Sequence, residues 1–187
     1  PLAWICLVPG LVIGARCGRP WLLGLLAGLV AANQVGKAAI LFYLLAYAVT
    51  NLAAFGVIAM LGVKDRPNDE LRDYAGLWHT HPALSALMTI ALLSLGGIPP
   101  TAGFIGKWYI FSAAVSSGYY GLAVIGMLTS VVSVFFYLRV VVMMYMSERE
   151  GPAAVHPRIA RMGMVALTLA IIAIFYLGIL PTQVMNW

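Results

Sequence analysis

Lys107 is the residue best suited to chemistry, because of what surrounds it in the sequence. Residues 74–106 before it and 108–138 after it carry no charged side chain. Its helix is expected to leave the apolar region at Ser117, which places Lys107 about 15 Å deep at roughly 1.5 Å per residue. That is near the middle of a hydrocarbon core about 30 Å thick. An ammonium there costs about 3 kcal/mol on insertion scales. All six carboxylates (Asp65, Asp69, Glu70, Asp73, Glu148 and Glu150) belong to two polar stretches elsewhere, so no helix offers a counter-ion. Dry surroundings penalise the ammonium relative to the neutral amine, and the positive end of the local helix dipole acts in the same sense. Such an amine can take up and release a proton near neutral pH. The competing reading is a lysine that snorkels to the interface, and the depth exceeds the reach of its side chain. Phe104 and Phe111, at i−3 and i+4, are expected to stack above and below it.

Weaker polar features accompany it. Tyr43, Tyr47, Thr50 and Asn51 follow i, i+4, i+7, i+8 spacing and so share one helix face. Ser130, Ser133 and Tyr137 line another, and Ser85 with Thr89 a third. Interhelical hydrogen bonds that help a bundle pack are the simpler account of these stripes; a water wire between helices is the functional one. Arg139 lies eight residues before Ser147, about 12 Å from its helix end, where snorkelling and a place beside an ion path are both open. His79 and His81 read as solvated loop residues, with a proton relay as the alternative. Cys6 and Cys17 have no ligand-like spacing, so no metal, zinc or iron–sulfur site is indicated. Gly36-Lys37 and Gly106-Lys107 lack the rest of a phosphate loop, so no bound nucleotide or cofactor is expected in this chain.

The elements that must position these residues are membrane helices. Of 187 residues, 63% are hydrophobic and 9% charged, against about 25% charged in soluble domains. The charge-free runs 38–63, 74–106, 108–138 and 162–187 each exceed the ~20 residues that span a bilayer. They are apolar all round, which fits helices and not the alternating strands of a barrel. Helices are expected over 2–15, 21–36, 38–62, 82–98, 103–116, 119–146 and 161–180, with polar loops at 64–81 and 147–161. Between 96 and 103 the run Gly-Gly-Ile-Pro-Pro-Thr-Ala-Gly interrupts the apolar stretch. Pro99 and Pro100 remove donors and clash with the preceding turn, and Gly97 and Gly103 flank them, so no helix runs through.

Loop charge decides how the interrupted stretch is threaded. If 82–116 is one broken crossing, Arg16, Arg19, Lys64, Arg66, Arg72, Arg149, Arg158 and Arg161 share a side, opposite Lys37 alone. Two full crossings would erase that bias. The positive-inside rule therefore favours the broken crossing, with the basic loops cytoplasmic, and it accounts for the net charge of +5 without a nucleic-acid partner. The expected fold is all-α, a polytopic transmembrane helix bundle of about six crossings with one discontinuous helix. The chain opens on Pro1, and it is expected to be a fragment or a processed product.

The run Leu92-Leu93-Ser94-Leu95-Gly96-Gly97-Ile98-Pro99-Pro100-Thr101-Ala102-Gly103-Phe104-Ile105-Gly106-Lys107-Trp108-Tyr109 resembles the broken helix of the subunit N family of NADH–quinone oxidoreductase, the mitochondrial subunit 2 family. Phe42 to Tyr47, Asn51 to Gly56, Leu71 to Leu77 and Phe136 to Val140 agree with it in order and spacing. The resemblance covers residues 30–187, as the C-terminal half of an antiporter-like domain; residues 1–29, apart from Trp21 to Val30, do not follow the family pattern. It implies a complex I membrane-arm subunit that moves protons and packs against other membrane-arm subunits and lipid. NADH, flavin, iron–sulfur clusters and quinone would sit in partner subunits. It puts Lys107 on the lysine of the family's second broken helix. It also implies a bacterial cell inner membrane and a periplasmic C-terminus. A subunit of a multisubunit cation/proton antiporter and a non-catalytic membrane scaffold are the alternatives.

Overall fold

The computed structural model describes residues 34–62, 74–147 and 161–181. The expected helices at 2–15 and most of 21–36, the boundary at residue 29, and all six carboxylates lie outside the described residues. Six helices follow within them: α1 Gln34–Leu61, α2 Leu77–Thr80, α3 Pro82–Gly96, α4 Ala102–Ser116, α5 Tyr120–Met146 and α6 Arg161–Ile179.

Two expectations about element boundaries are corrected. A turn at Lys37 was expected, yet α1 runs continuously from Gln34. A lone Gly36 costs a helix only about 1 kcal/mol, and nothing else nearby breaks it. The loop expected up to His81 instead folds back from Tyr74 onward. Tyr74 and Leu77 are buried, the Gly76 amide donates to Met143 O at 3.3 Å, and the single turn α2 follows. Those apolar side chains pack on the core, with Trp78 stacked on Tyr145. Pro82 starts α3 at its first turn, where its missing donor does no harm. The other boundaries agree with expectation to within a residue or two.

The regions Ala38–Leu61, Tyr120–Met146 and Arg161–Ile179 are each long and apolar enough to cross a membrane. Helices α3 and α4 have 15 residues each, about 22 Å apiece, and form the two halves of the interrupted crossing. The described chain is thus an integral membrane bundle with a discontinuous helix, as the apolar runs require. Helix α1 packs against α3, α4 and α6, while α5 covers α3 and α4 from another side. Among helices in lipid, close packing replaces the hydrophobic drive. Small residues supply it here. A Cβ on Gly56 would sit 2.6 Å from Leu167 of α6, and one on Gly126 would sit 2.8 Å from Phe111. One buried cluster runs through Val57, Leu84, Met88, Leu92, Val140 and Ile174. A smaller one joins Ala39, Ile110, Ala114 and Ala123 beside the second half-helix.

Candidate functional site

The site is the break between α3 and α4. Helix α3 stops at Gly97, whose φ of 82° is left-handed and suits glycine. The amides of Gly97 and Ile98 fold back onto Leu93 O, and that of Gly97 also onto Ser94 O, each at 3.0 Å. This is a Schellman-type end. It leaves Leu95 and Gly96 with carbonyls that no following turn can satisfy.

Lys107 satisfies both. Its Nζ donates to Leu95 O at 3.0 Å and to Gly96 O at 2.8 Å. The stem lies along Gly97, where a Cβ would come within 2.9 Å of Lys107 Cδ. The last four carbonyls of α3 are therefore all engaged, two by the turn and two by the ammonium. These carbonyls form the negative end of a helix dipole, which favours a cation. The amine expected to be unaccompanied is thus held by dipoles, and no carboxylate occurs among the described residues. Sequence reasoning missed this because the partner carbonyls belong to the backbone and carry no residue signature. Phe104 stacks on Trp108 with centroids 6.2 Å apart, and Phe111 packs at Gly126.

The loop of the break is wedged among its neighbours. It runs through Pro99 and Pro100. Thr101 Oγ1 donates to Ile98 O at 2.7 Å. A Cβ on Gly178 of α6 would collide with Pro100 O, and one on Gly103 with Ser94 O. Gly103 therefore sits where only a bare Cα can approach the first half-helix.

Of the other candidates, Tyr43 and Tyr137 reach the break. Tyr43 packs against Gly106, where a Cβ would lie 3.2 Å from its ring, and stacks on Tyr47. Tyr137 is buried beside Gly96. Asn51 donates to Tyr47 O at 2.8 Å and Ser133 to Thr129 O at 3.0 Å, both within their own helices. Ser130 is half-buried, and Arg139 is exposed on the outer face of α5. Thr89 meets both Ser85 O and the Tyr145 hydroxyl, while the buried Ser85 hydroxyl has no partner among the described residues. Sequence reasoning gave no role to Ser94, whose hydroxyl lies 3.2 Å from that of Thr50.

Comparison with known proteins bears on the family and the fold. The family described as "NADH:quinone oxidoreductase/Mrp antiporter, TM" matches residues 23–133. NADH-quinone oxidoreductase subunit N of Trichlorobacter lovleyi is 50% identical over 125 residues, which is 67% of this chain and 26% of that protein. A chain of respiratory complex I from Thermus thermophilus superposes with a TM-score of 0.70 at 26% identity, covering 100% of this chain and 45% of that one. A chain of the Mrp complex from Dietzia sp. has the same fold, with a TM-score of 0.74 at 19% identity over 85% of this chain and 38% of its own. The chain spans about a quarter of that curated relative and under half of each structural neighbour. With its broken helix inside the matched region, the chain belongs to the NADH:quinone oxidoreductase/Mrp antiporter transmembrane family.

Proposed function

We propose that this chain is part of a proton-translocating, antiporter-like subunit of NADH–quinone oxidoreductase, with Lys107 as the proton-transfer group. The observation that carries the reading is the ammonium of Lys107 held across a helix break by the carbonyls of Leu95 and Gly96. Dipoles steady the charged form without fixing it as a permanent ion pair, so the amine can be discharged and recharged. Broken helices are where transporters open backbone groups to an ion path. The polar residues at the break, Tyr43 and Tyr137, are the neighbours best placed to pass a proton to or from the amine. Tyr47, Asn51, Ser130, Ser133 and Arg139 are more remote members of the same path.

In this reading the subunit works as one part of a redox-driven translocase. NADH, flavin, iron–sulfur and quinone chemistry belong to partner subunits, and the contacts of this chain are with other membrane-arm subunits and lipid. The membrane is the bacterial inner membrane, with basic loops cytoplasmic and the C-terminus periplasmic, on the strength of loop charge. A second reading, a subunit of a multisubunit cation/proton antiporter, is favoured by the shared fold with the Mrp complex chain.

The test replaces Lys107 by Ala and by Arg in the full-length subunit within its assembled complex. Proton transport is read against electron transfer in vesicles. Transport per electron is expected to fall by about ten-fold or more with Ala, given what positioned acid–base groups contribute. Arg should fare no better, because it keeps the charge but does not release its proton. Normal transport by either variant sinks the reading. Transport driven by a sodium gradient without any quinone reductase favours the antiporter.

A further inference from the structure

Most hydroxyls in the described helices bond back to the preceding turn, as Thr50 does to Ala46 O at 2.7 Å and Thr168 to Met164 O at 2.8 Å. This is the default for Ser and Thr inside a helix. Ser94 departs from it. Its Oγ lies 3.2 Å from Thr50 Oγ1 on α1 and 3.4 Å from the amide nitrogen of Gly103 on α4. Both partners belong to other elements. Ser94 is fully buried and Thr50 nearly so.

Counting protons fixes the direction. The single proton of Thr50 goes to Ala46 O, the shorter of its contacts, so Thr50 accepts from Ser94. Ser94 in turn uses a lone pair for the Gly103 amide. The result is a one-way chain from Gly103 N–H through Ser94 and Thr50 to Ala46 O. It begins at an amide that gives up no proton, so it is a fixed clamp and not a proton wire.

The Gly103 amide is one of the donors that a helix start leaves unsatisfied. The residue that would ordinarily cap it, Thr101, makes no side-chain cap and bonds Ile98 O instead. Ser94 supplies the cap from the other half of the broken helix. Gly103 lies one turn before Lys107 on the same face. The carbonyl of Ser94 faces Gly103, and the next two, of Leu95 and Gly96, receive Lys107. A slip of α4 by one residue, about 1.5 Å along its axis, would move the root of the Lys107 side chain relative to those two carbonyls.

We propose that Ser94, anchored by Thr50, is a positioning residue: a cap in trans on the second half-helix that sets the register of Lys107 against the carbonyls of the first. The proposal rests on the proton-transfer reading of Lys107 and deepens it. The experiment uses the full-length subunit in its complex, with Ser94→Ala, Thr50→Val and Thr50→Ser. Two readouts are taken: hydrogen exchange of the peptide around Gly103 in nanodiscs, and proton transport per electron in vesicles.

Ser94→Ala and Thr50→Val are expected to speed exchange about five-fold or more, the loss of one buried hydrogen bond, and to lower transport several-fold at wild-type subunit levels. Thr50→Ser keeps the hydroxyl and should behave as wild type in both, which a loss of packing alone would not produce. The double variant Ser94→Ala with Thr50→Val should be no worse than either single, because both break one chain. Unchanged exchange in Ser94→Ala overturns the clamp, and faster exchange with normal transport overturns its positioning role. Lys107→Ala, run alongside, separates the two ideas: normal transport there rejects the proton-transfer reading, while the exchange readout still decides the clamp.

Discussion

At the scale of single residues, the break is governed by atoms that are missing as much as by those present. Gly103 and Gly178 are the clearest cases, since a methyl group at either would run into a backbone carbonyl, that of Ser94 or of Pro100. Backbone cannot move aside as a flexible side chain can. Gly103→Ala and Gly178→Ala are each expected to destabilise the bundle by about 1–3 kcal/mol, read as a lower melting temperature of the purified assembly. Gly121→Ala is the control, because a Cβ there meets nothing within 4 Å and Ala suits a helix better than Gly, so it should melt no lower than wild type. Lys107 was legible in the sequence, since a lone charge between two long charge-free runs stands out. Its partners Leu95 and Gly96 were not, because any residue could have offered those carbonyls.

Among the elements, the end of α3 decides where the lysine can bond. Gly97 holds a left-handed conformation, which costs an L-residue roughly 1–2 kcal/mol. Gly97→Val is therefore expected to lower stability by more than Gly97→Asn, because Asn tolerates that region and a β-branched side chain does not. Both should also loosen Lys107, whose stem lies against that Cα. Thermal melting of the two variants, together with transport by Gly97→Asn, checks this ordering. The interruption itself was plain from two prolines among three glycines. The tight end of α3 was not, because the Schellman turn depends on which amide folds back. Helix α2 was invisible for a related reason: four residues have no readable period, and the packing of Leu77 and the bond from the Gly76 amide to Met143 O that hold it in place are tertiary.

At the scale of the whole molecule, burial over the described residues is uneven in a way that suits lipid. Phe135 is 66% exposed on α5, whereas Leu92 and Met144 are fully buried between helices. Leu92→Ala and Met144→Ala are each expected to cost about 2–5 kcal/mol in lost packing. Phe135→Ala should leave the fold of this bundle within about 0.5 kcal/mol. Denaturation of the reconstituted subunit, compared across the three variants, tests it. A cost at Phe135 as large as at Leu92 would mean that α5 is packed on its outer face as tightly as on its inner one.

The sequence alone determined that the chain lives in a membrane, that it is helical, that one helix is broken between residues 96 and 103, and that Lys107 lies near that break. Each of these follows from composition, from run length or from what proline forbids, all of which are properties of the linear chain. Only the tertiary structure decided what the lysine bonds, which of the tyrosines pack at the break, and that Ser94 and Thr50 tie three helices together. Those contacts join residues up to 44 positions apart. They depend on helix rotation and register, which uncharged, largely apolar helices leave open until they pack.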